Sequence, residues 1–207
     1  PNVWTDVAWE NDLGGFRAYG PALQARGERG FGYDLFTKYN TTEPILESLY
    51  AEELNPEKRA KIAELKKTDP KAASELQNAI SYHIDHGYGM DCYAVGPTLG
   101  AGVAALMAGD TIIYPYCYRT QEILDNGPLR FTVKLEFNPL VVRGDSNVVE
   151  TRVISLDAGS YLNKNCCFIY QFERSNAGNY GTCVARTGWC GCGRCCKWLY
   201  HLRRSYN

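Results

Sequence analysis

The feature that most constrains the fold is a series of short apolar runs, separated by turn-forming residues, between Met90 and Lys164. The turn signals recur about every 8–12 residues, and the strongest is Asp125-Asn126-Gly127-Pro128. Residues 129–137 alternate apolar and polar side chains, as a strand with one buried face does. The pattern predicts a mainly β protein, an antiparallel sandwich, in preference to a βαβ fold.

Residues 42–80 differ because their apolar side chains recur at helical spacing. Thr42 is a candidate cap for a helix through Glu43–Leu54, and Asn55-Pro56 and Asp69-Pro70 each restart a helix. We therefore expect a helical insertion at about 42–80, within a β framework whose first 40 residues are extended segments. A further short strand is predicted at Cys92–Val95.

Composition argues against several classes of function. No apolar run approaches the roughly 18 residues of a membrane span, and a net charge of −1 disfavours binding to nucleic acid by phosphate neutralisation. The sequence lacks a Gly-rich phosphate loop, a P-loop and a serine nucleophile elbow. We expect no cofactor. The chain begins at Pro1 rather than Met, which suggests a processed or truncated sequence.

Residues 165–207 differ in composition from the body. They hold seven of the nine Cys, six of the 22 Lys and Arg and one of the 23 Asp and Glu, which leaves 16 − 22 = −6 for residues 1–164. The Cys spacing, with His201 nearby, permits a zinc site or a small disulfide knot. It is too compressed to form two separated ligand pairs, however, and we expect no metal site there.

A third interpretation is that residues 165–207 are translated out of frame. Removing one base permits Asn165–Tyr170 to be read as Ile-Val-Val-Ser-Tyr-Thr, and the whole recovered tail alternates as strands do. We favour this reading, with the extra base near Lys164-Asn165. It predicts that residues 1–164 are part of a β domain and that 165–207 are not a true domain.

Most chemically active side chains are clustered between Tyr82 and Tyr93. His83 and His86, the only His of the body, flank Asp85, and Tyr88 and Asp91 follow. Histidines serve as general acids, bases or ligands near neutral pH. A His pair that caps a helix end is the structural alternative, and the spacing supplies no third metal ligand.

A second cluster contains Trp9, Glu10, Asp12, Arg17 and Tyr19. Aromatic rings beside carboxylates and an Arg suit a sugar site, because rings stack on the sugar and charged groups bind hydroxyls or a uronate. The structural alternative is a core Trp flanked by loop acids.

A third patch, which includes Arg119, is a weaker candidate for substrate binding and is equally explained as polarity at a strand edge. We expect the first two clusters to meet at one cavity.

Several ordered motifs resemble the bacterial domain-of-unknown-function 4861 family. They are Ala8–Asp12, Phe16–Pro21, His83–Tyr93, Val95-Gly96-Pro97, Gly100, Asn126-Gly127-Pro128 and Ile154–Ser160. The resemblance spans nearly all of residues 4–164. It implies a galactose-mutarotase-like β-supersandwich, of which this chain would be a fragment, in an exported, periplasmic or extracellular protein of polysaccharide-degrading bacteria.

Two functions are consistent with these expectations. The first is an enzyme acting on oligosaccharides or polysaccharides, with uronates among the candidate sugars. His83 or His86 would be the acid, and Glu10, Asp12 or Asp85 the base or orienting carboxylate. Mutarotation, glycoside hydrolysis and lyase chemistry all remain open. The second is a non-catalytic carbohydrate-binding module that uses Trp9, Arg17 and Tyr19.

Overall fold

The computed structural model describes residues 6–39, 43–108, 110–142, 144–170 and 181–187. Strand residues outnumber helical residues in this part of the chain, and every pairing between its strands is antiparallel. The predicted mainly β, antiparallel class is therefore confirmed.

A small three-stranded sheet is formed near the N-terminus. Its strands are β1 (Val7–Glu10), β2 (Gly14–Ala18) and β3 (Tyr33–Thr37), in that order. Between β2 and β3 lies a short helix, α1 (Pro21–Ala25), where the sequence predicted extended chain. Proline at the first helical position favours this turn of helix, which the hydrogen bond from Gln24 N–H to the Gly20 carbonyl closes.

A larger sheet is formed by the C-terminal half of the described chain. Its order is β11-β10-β9-β7-β6, and β8 pairs with β9 beside this path. The strands are β6 (Tyr118–Asn126), β7 (Arg130–Phe137), β8 (Leu140–Val142), β9 (Asp145–Asp157), β10 (Asn163–Tyr170) and β11 (Gly181–Thr187). A separate hairpin joins β4 (Leu106–Ala108) to β5 (Thr111–Ile113), as the turn signal at Asp110 predicted.

The two sheets pack face to face around one apolar core. The alternation in β7 is confirmed, because Val133, Leu135 and Phe137 are buried on the inner face. The core residues of the small sheet are Val7, Trp9, Phe16, Ala18 and Tyr33, and those of the large sheet include Val133, Leu135, Phe137, Ile154 and Leu156. Since strand side chains alternate between faces, the other face of the small sheet is left for the helices to cover.

Three helices form the predicted insertion: α2 (Leu46–Glu53), α3 (Pro56–Thr68) and α4 (Pro70–Ile80). Asn55 caps α3 by accepting from Glu57 and Lys58 N–H, and Asp69 caps α4 by accepting from Ala72 N–H. Ile45, Leu46 and Leu49 pack on Phe36 of β3, so this layer covers the outer face of the small sheet.

Two local predictions differ from the structure. The helix predicted from Glu43 begins at Leu46, because Glu10 accepts hydrogen bonds from Ile45 and Leu46 N–H and so fixes its first turn. Thr42, its predicted cap, lies outside the described residues.

The strand predicted at Cys92–Val95 is also absent from the described chain, where Asp91 alone bridges Phe36. The N–H of Tyr93 bonds the Asp91 side chain instead of a neighbouring strand.

The boundary predicted after Lys164 falls inside β10. Asn165 and Cys167 are buried there, and β10 pairs with β9 through Tyr170. The clustered cysteines from Cys190 onward lie outside the described residues. The interpretation that residues 165–207 are translated out of frame, and the domain boundary at Lys164, therefore stay predictions.

Candidate functional site

The imidazole of His83 lies beside the carboxylate of Asp91, with Nδ1 3.5 Å from Oδ2. The two residues meet because Asp91 N–H donates to the Tyr82 carbonyl at 2.8 Å and closes the loop after α4. Asp91 is also bridged to Phe36 of β3, which anchors it on the small sheet. The carboxylate is buried, whereas the His83 side chain is 57% exposed. The pair thus joins a fixed carboxylate to a solvent-facing imidazole.

Asp85 organises the loop between these two residues. Its carboxylate accepts from Gly87 N–H at 2.8 Å, from Gly89 N–H at 3.3 Å and from the Tyr39 hydroxyl at 2.5 Å. The bond from Tyr39 and those from the two glycines lower the pKa of Asp85. Gly89 has a φ of 124°, and a Cβ there would lie 2.1 Å from the Thr37 carbonyl oxygen. Only glycine fits at this position.

His86 is directed toward the end of α4. Its Nε2 lies 3.1 Å from the carbonyl oxygen of Ser81, the residue that ends the helix. This contact fits the alternative interpretation of a histidine at a helix end. The two histidines therefore differ in their surroundings, since only His83 lies beside a buried carboxylate.

Below His83 lies a buried polar network centred on Arg17. Arg17 Nε donates to Asp34 Oδ2 at 2.5 Å and Nη2 donates to the Tyr19 hydroxyl at 3.1 Å. The Tyr19 hydroxyl in turn donates to Asp34 Oδ1 at 3.0 Å. The three residues meet because Arg17 and Asp34 are register partners in β2 and β3. Arg17 is therefore a buried partner of Asp34, whereas the sequence suggested an exposed ligand for a substrate carboxylate.

Two tyrosines connect this network to His83. The Tyr82 ring centroid is 4.5 Å from that of His83 and 5.3 Å from that of Tyr50. The Arg17 guanidinium lies 5.7 Å from the Tyr50 ring centroid. The aromatic rings thus form a continuous path from the Arg17 network to the exposed imidazole.

The electrostatics of the network are set mainly by burial. Burial raises the pKa of Asp34 to about 6, although Arg17 acts to lower it. Burial also raises the pKa of Asp91, opposed by the Tyr93 N–H and by His83. For Arg17, burial acts to lower the pKa, but the neighbouring oxygens of Tyr50, Asp34 and Tyr19 raise it overall. Arg17 therefore stays cationic.

Three exposed tyrosines lie in this loop or next to it. Tyr39, Tyr88 and Tyr93 each expose 40% or more of their surface. Tyr39 bonds Asp85, and the Tyr88 ring centroid lies 6.4 Å from that of His86. The rings give this surface apolar faces, and their hydroxyls give it hydrogen-bonding groups.

Trp9 does not contribute to this surface, and its predicted role as an exposed stacking ring is wrong. The side chain is 3% exposed and lies in the core between the sheets, stacked on Phe16 and Phe131. Its Nε1 donates to Asn163 Oδ1 at 2.9 Å. The pattern of β1 explains this, since Val7 and Trp9 alternate onto the inner face.

Glu10 has structural partners. Its carboxylate pairs with Lys38 at 3.0 Å and accepts from the first N–H groups of α2. Such an engaged carboxylate is poorly placed to exchange protons with a substrate.

Asp12 and Arg119 also have structural partners. Asp12 accepts from Gly159 N–H at 2.7 Å, which ties the β1–β2 turn to the end of β9. Arg119 pairs with Glu136 across β6 and β7. The structure brings neither residue into contact with the His83–Asp91 pair.

Sequence reasoning missed Asp34 and Tyr50 as members of the network, and it noted Tyr82 without giving it a role. Asp34 could have been found from its position in β3, where a carboxylate on the face opposite Tyr33 and Leu35 needs a buried partner. No local signal identifies Tyr50, because its partners come from β2 and from the loop after α4.

The domain-of-unknown-function 4861 family matches residues 4–187 of this sequence. The chain belongs to this family. The family match covers every residue of the site described above and extends beyond Lys164 into β11. A curated relative, "Uncharacterized protein P7" of Formosa agariphila, is 25% identical over 171 residues. The matched segment covers 79% of this chain and 37% of that protein. No solved structure matches the chain.

Within the described part of this family member, no three His, Cys, Asp or Glu side chains are grouped so as to hold a metal ion. None of its described helices is long and apolar enough to cross a membrane. The site therefore consists of the His83–Asp91 pair, the Arg17 network beneath it and the exposed tyrosines around it.

Proposed function

We propose that this chain is part of a carbohydrate-active protein that acts on oligosaccharides or polysaccharides, with His83 as the acid–base residue and Asp91 as its positioning residue. The observation that carries the proposal is an exposed imidazole whose Nδ1 lies 3.5 Å from a buried carboxylate. With Nδ1 directed at Asp91, the proton exchanged with a substrate is carried by Nε2. The Asp91 carboxylate stabilises the imidazolium formed when His83 takes up a proton.

The exposed tyrosines support a sugar as the substrate class. Their rings offer apolar faces for stacking, and their hydroxyls offer polar groups for orientation. A single His–Asp pair suits proton transfer at a sugar carbon or ring oxygen, as in mutarotation or a lyase reaction. Glycoside hydrolysis normally uses two carboxylates flanking the scissile bond, and the other carboxylates near His83 are engaged by protein groups.

The antiparallel sheets packed around one core support the further proposal of a galactose-mutarotase-like β-supersandwich. Such a protein would meet its polysaccharide in the periplasm or outside the cell, as the family resemblance implies.

The test is to incubate the purified chain with panels of neutral and uronate-containing oligosaccharides and to measure product. His83→Ala should reduce turnover by about 10²–10⁴-fold. His86→Ala is the matched control, because it removes an exposed imidazole from the same loop and should leave turnover nearly unchanged. Asp91→Asn should lower kcat and alter its pH profile, since it removes the negative charge beside the imidazole. Normal turnover by His83→Ala would contradict the proposal.

The second candidate function is a non-catalytic carbohydrate-binding module. The exposed rings of Tyr39, Tyr88 and Tyr93 favour it, because stacking alone is sufficient for binding. Sugar-dependent thermal stabilisation without product, unchanged in His83→Ala, would support the module and rule out the enzyme.

A further inference from the structure

A second aromatic crevice lies where the end of β2 and the segment before β3 approach the start of β6. Its volume is about 10 Å³, which is room for about one water molecule. Among its lining residues are Tyr19, Phe31, Tyr116, Phe137 and Arg152. A larger ligand would therefore lie across the mouth of the crevice, in contact with the rings at its rim.

The rim presents exposed aromatic faces. Tyr116 is 61% exposed, which is unusual for a large ring next to the core. Phe31 stacks on Tyr114 with the ring centroids 4.9 Å apart, and this pair extends the aromatic surface. The Tyr19 ring lies directly on the backbone of Gly30, where a Cβ would come within 2.8 Å of the ring. Because Gly30 has no side chain, the Tyr19 ring can pack against its backbone and form part of the crevice wall.

The floor of the crevice is polar but electrically balanced. Arg152 is 1% exposed, and its Nε donates to Glu150 at 2.5 Å. Its guanidinium lies 4.2 Å from the Phe137 ring centroid, and Nη1 donates to the Tyr33 hydroxyl at 3.3 Å. Because Glu150 pairs with this cation, the floor offers no unpaired positive charge to attract a carboxylate to the mouth of the crevice. The lining therefore suits a neutral pyranose unit.

Tyr19 connects this crevice to the His83 site. Its ring lines the crevice, while its hydroxyl belongs to the Arg17–Asp34 network beneath the imidazole. The crevice and the His83 site therefore share one side chain, and this shared residue motivates a ligand of several saccharide units.

We propose that the crevice is a second, non-catalytic subsite, which binds a neutral pyranose unit of the saccharide whose reacting unit lies at His83. This inference rests on the proposed function. It predicts that the substrate is an oligosaccharide or polysaccharide and that affinity rises with chain length.

The experiment compares Tyr116→Ala with Tyr161→Ala, a matched control that removes a 68% exposed tyrosine from the turn before β10. Calorimetric titration and KM would be measured with a length series of neutral and uronate-containing oligosaccharides. Tyr116→Ala should weaken binding of the longer neutral oligosaccharides by about 3- to 10-fold, with kcat unchanged. Monosaccharides should bind equally to both variants and to the unmodified chain, and thermal unfolding should be the same.

The outcomes separate this inference from the proposed function. If turnover depends on His83 but Tyr116→Ala binds every length as the unmodified chain does, the subsite is refuted and the proposed function stands. If the unmodified chain neither binds nor converts any saccharide in the series, both proposals fail. An equal loss in Tyr161→Ala would also overturn the subsite, since the effect would then not be specific to the crevice.

Discussion

At the scale of single residues, Asp34 is the most informative group because it is a buried carboxylate with a pKa raised to about 6. Its folded-state pKa is higher than the unfolded value of 3.8, so the folded state binds more protons between these values. The free energy of unfolding contributed by Asp34 therefore falls as pH rises from about 4 to about 6 and is constant above that window. Asp34→Asn mimics the protonated side chain and should lack this dependence.

The measurement is urea unfolding of both proteins at a series of pH values. The free energy of unfolding of Asp34→Asn, minus that of the unmodified protein, should increase by about 1–3 kcal/mol between pH 4 and 7. A difference that is flat or that decreases over this window would show that Arg17 outweighs burial at Asp34.

At the scale of elements, the start of α2 is determined by Glu10 of β1. Glu10→Gln keeps an oxygen for the helix N–H groups but leaves Lys38 buried without its ion-pair partner. We expect a loss of about 2–4 kcal/mol in the free energy of unfolding. Glu64→Gln, an exposed change in α3, is the control and should cost little. Turnover per folded molecule should be unchanged, and its loss in a folded variant would restore Glu10 to the mechanism.

At the scale of the whole molecule, Trp9 is one of the side chains that join the two sheets. Trp9→Ala removes a buried ring that contacts both sheets, so we expect a cost of about 3–5 kcal/mol. Urea denaturation of this variant beside Tyr161→Ala tests the expectation. A variant that keeps its stability but loses sugar binding would instead support the stacking role that the sequence suggested for Trp9.

The frame interpretation is also a prediction about the whole chain. We expect that resequencing the DNA that encodes Lys164 and Asn165 will give a sequence one base shorter at this point. The restored reading would place Ile and Val at positions 165 and 167, both of which are buried in β10. A confirmed nucleotide sequence without that change would disprove the frameshift.

The sequence by itself determined the features that depend on neighbouring residues. The alternation over 129–137 predicted β7 and its buried face, and the caps Asn55 and Asp69 predicted where α3 and α4 begin. These signals are local, because side-chain period and capping act within a few residues. The cluster of chemically active side chains from Tyr82 to Tyr93 was also visible in the sequence, because its members are near neighbours along the chain.

The tertiary structure alone decided which candidate residues are available for chemistry. Trp9, Glu10 and Arg17 are equally suitable for a sugar site by type, but each is engaged by partners distant in sequence, such as Asn163, Lys38 and Asp34. His83 and His86 are alike in sequence, and only the closing of their loop places Asp91 beside one of them. Burial and long-range pairing decide these outcomes because the cost of removing a polar group from water depends on the partner it meets in the fold.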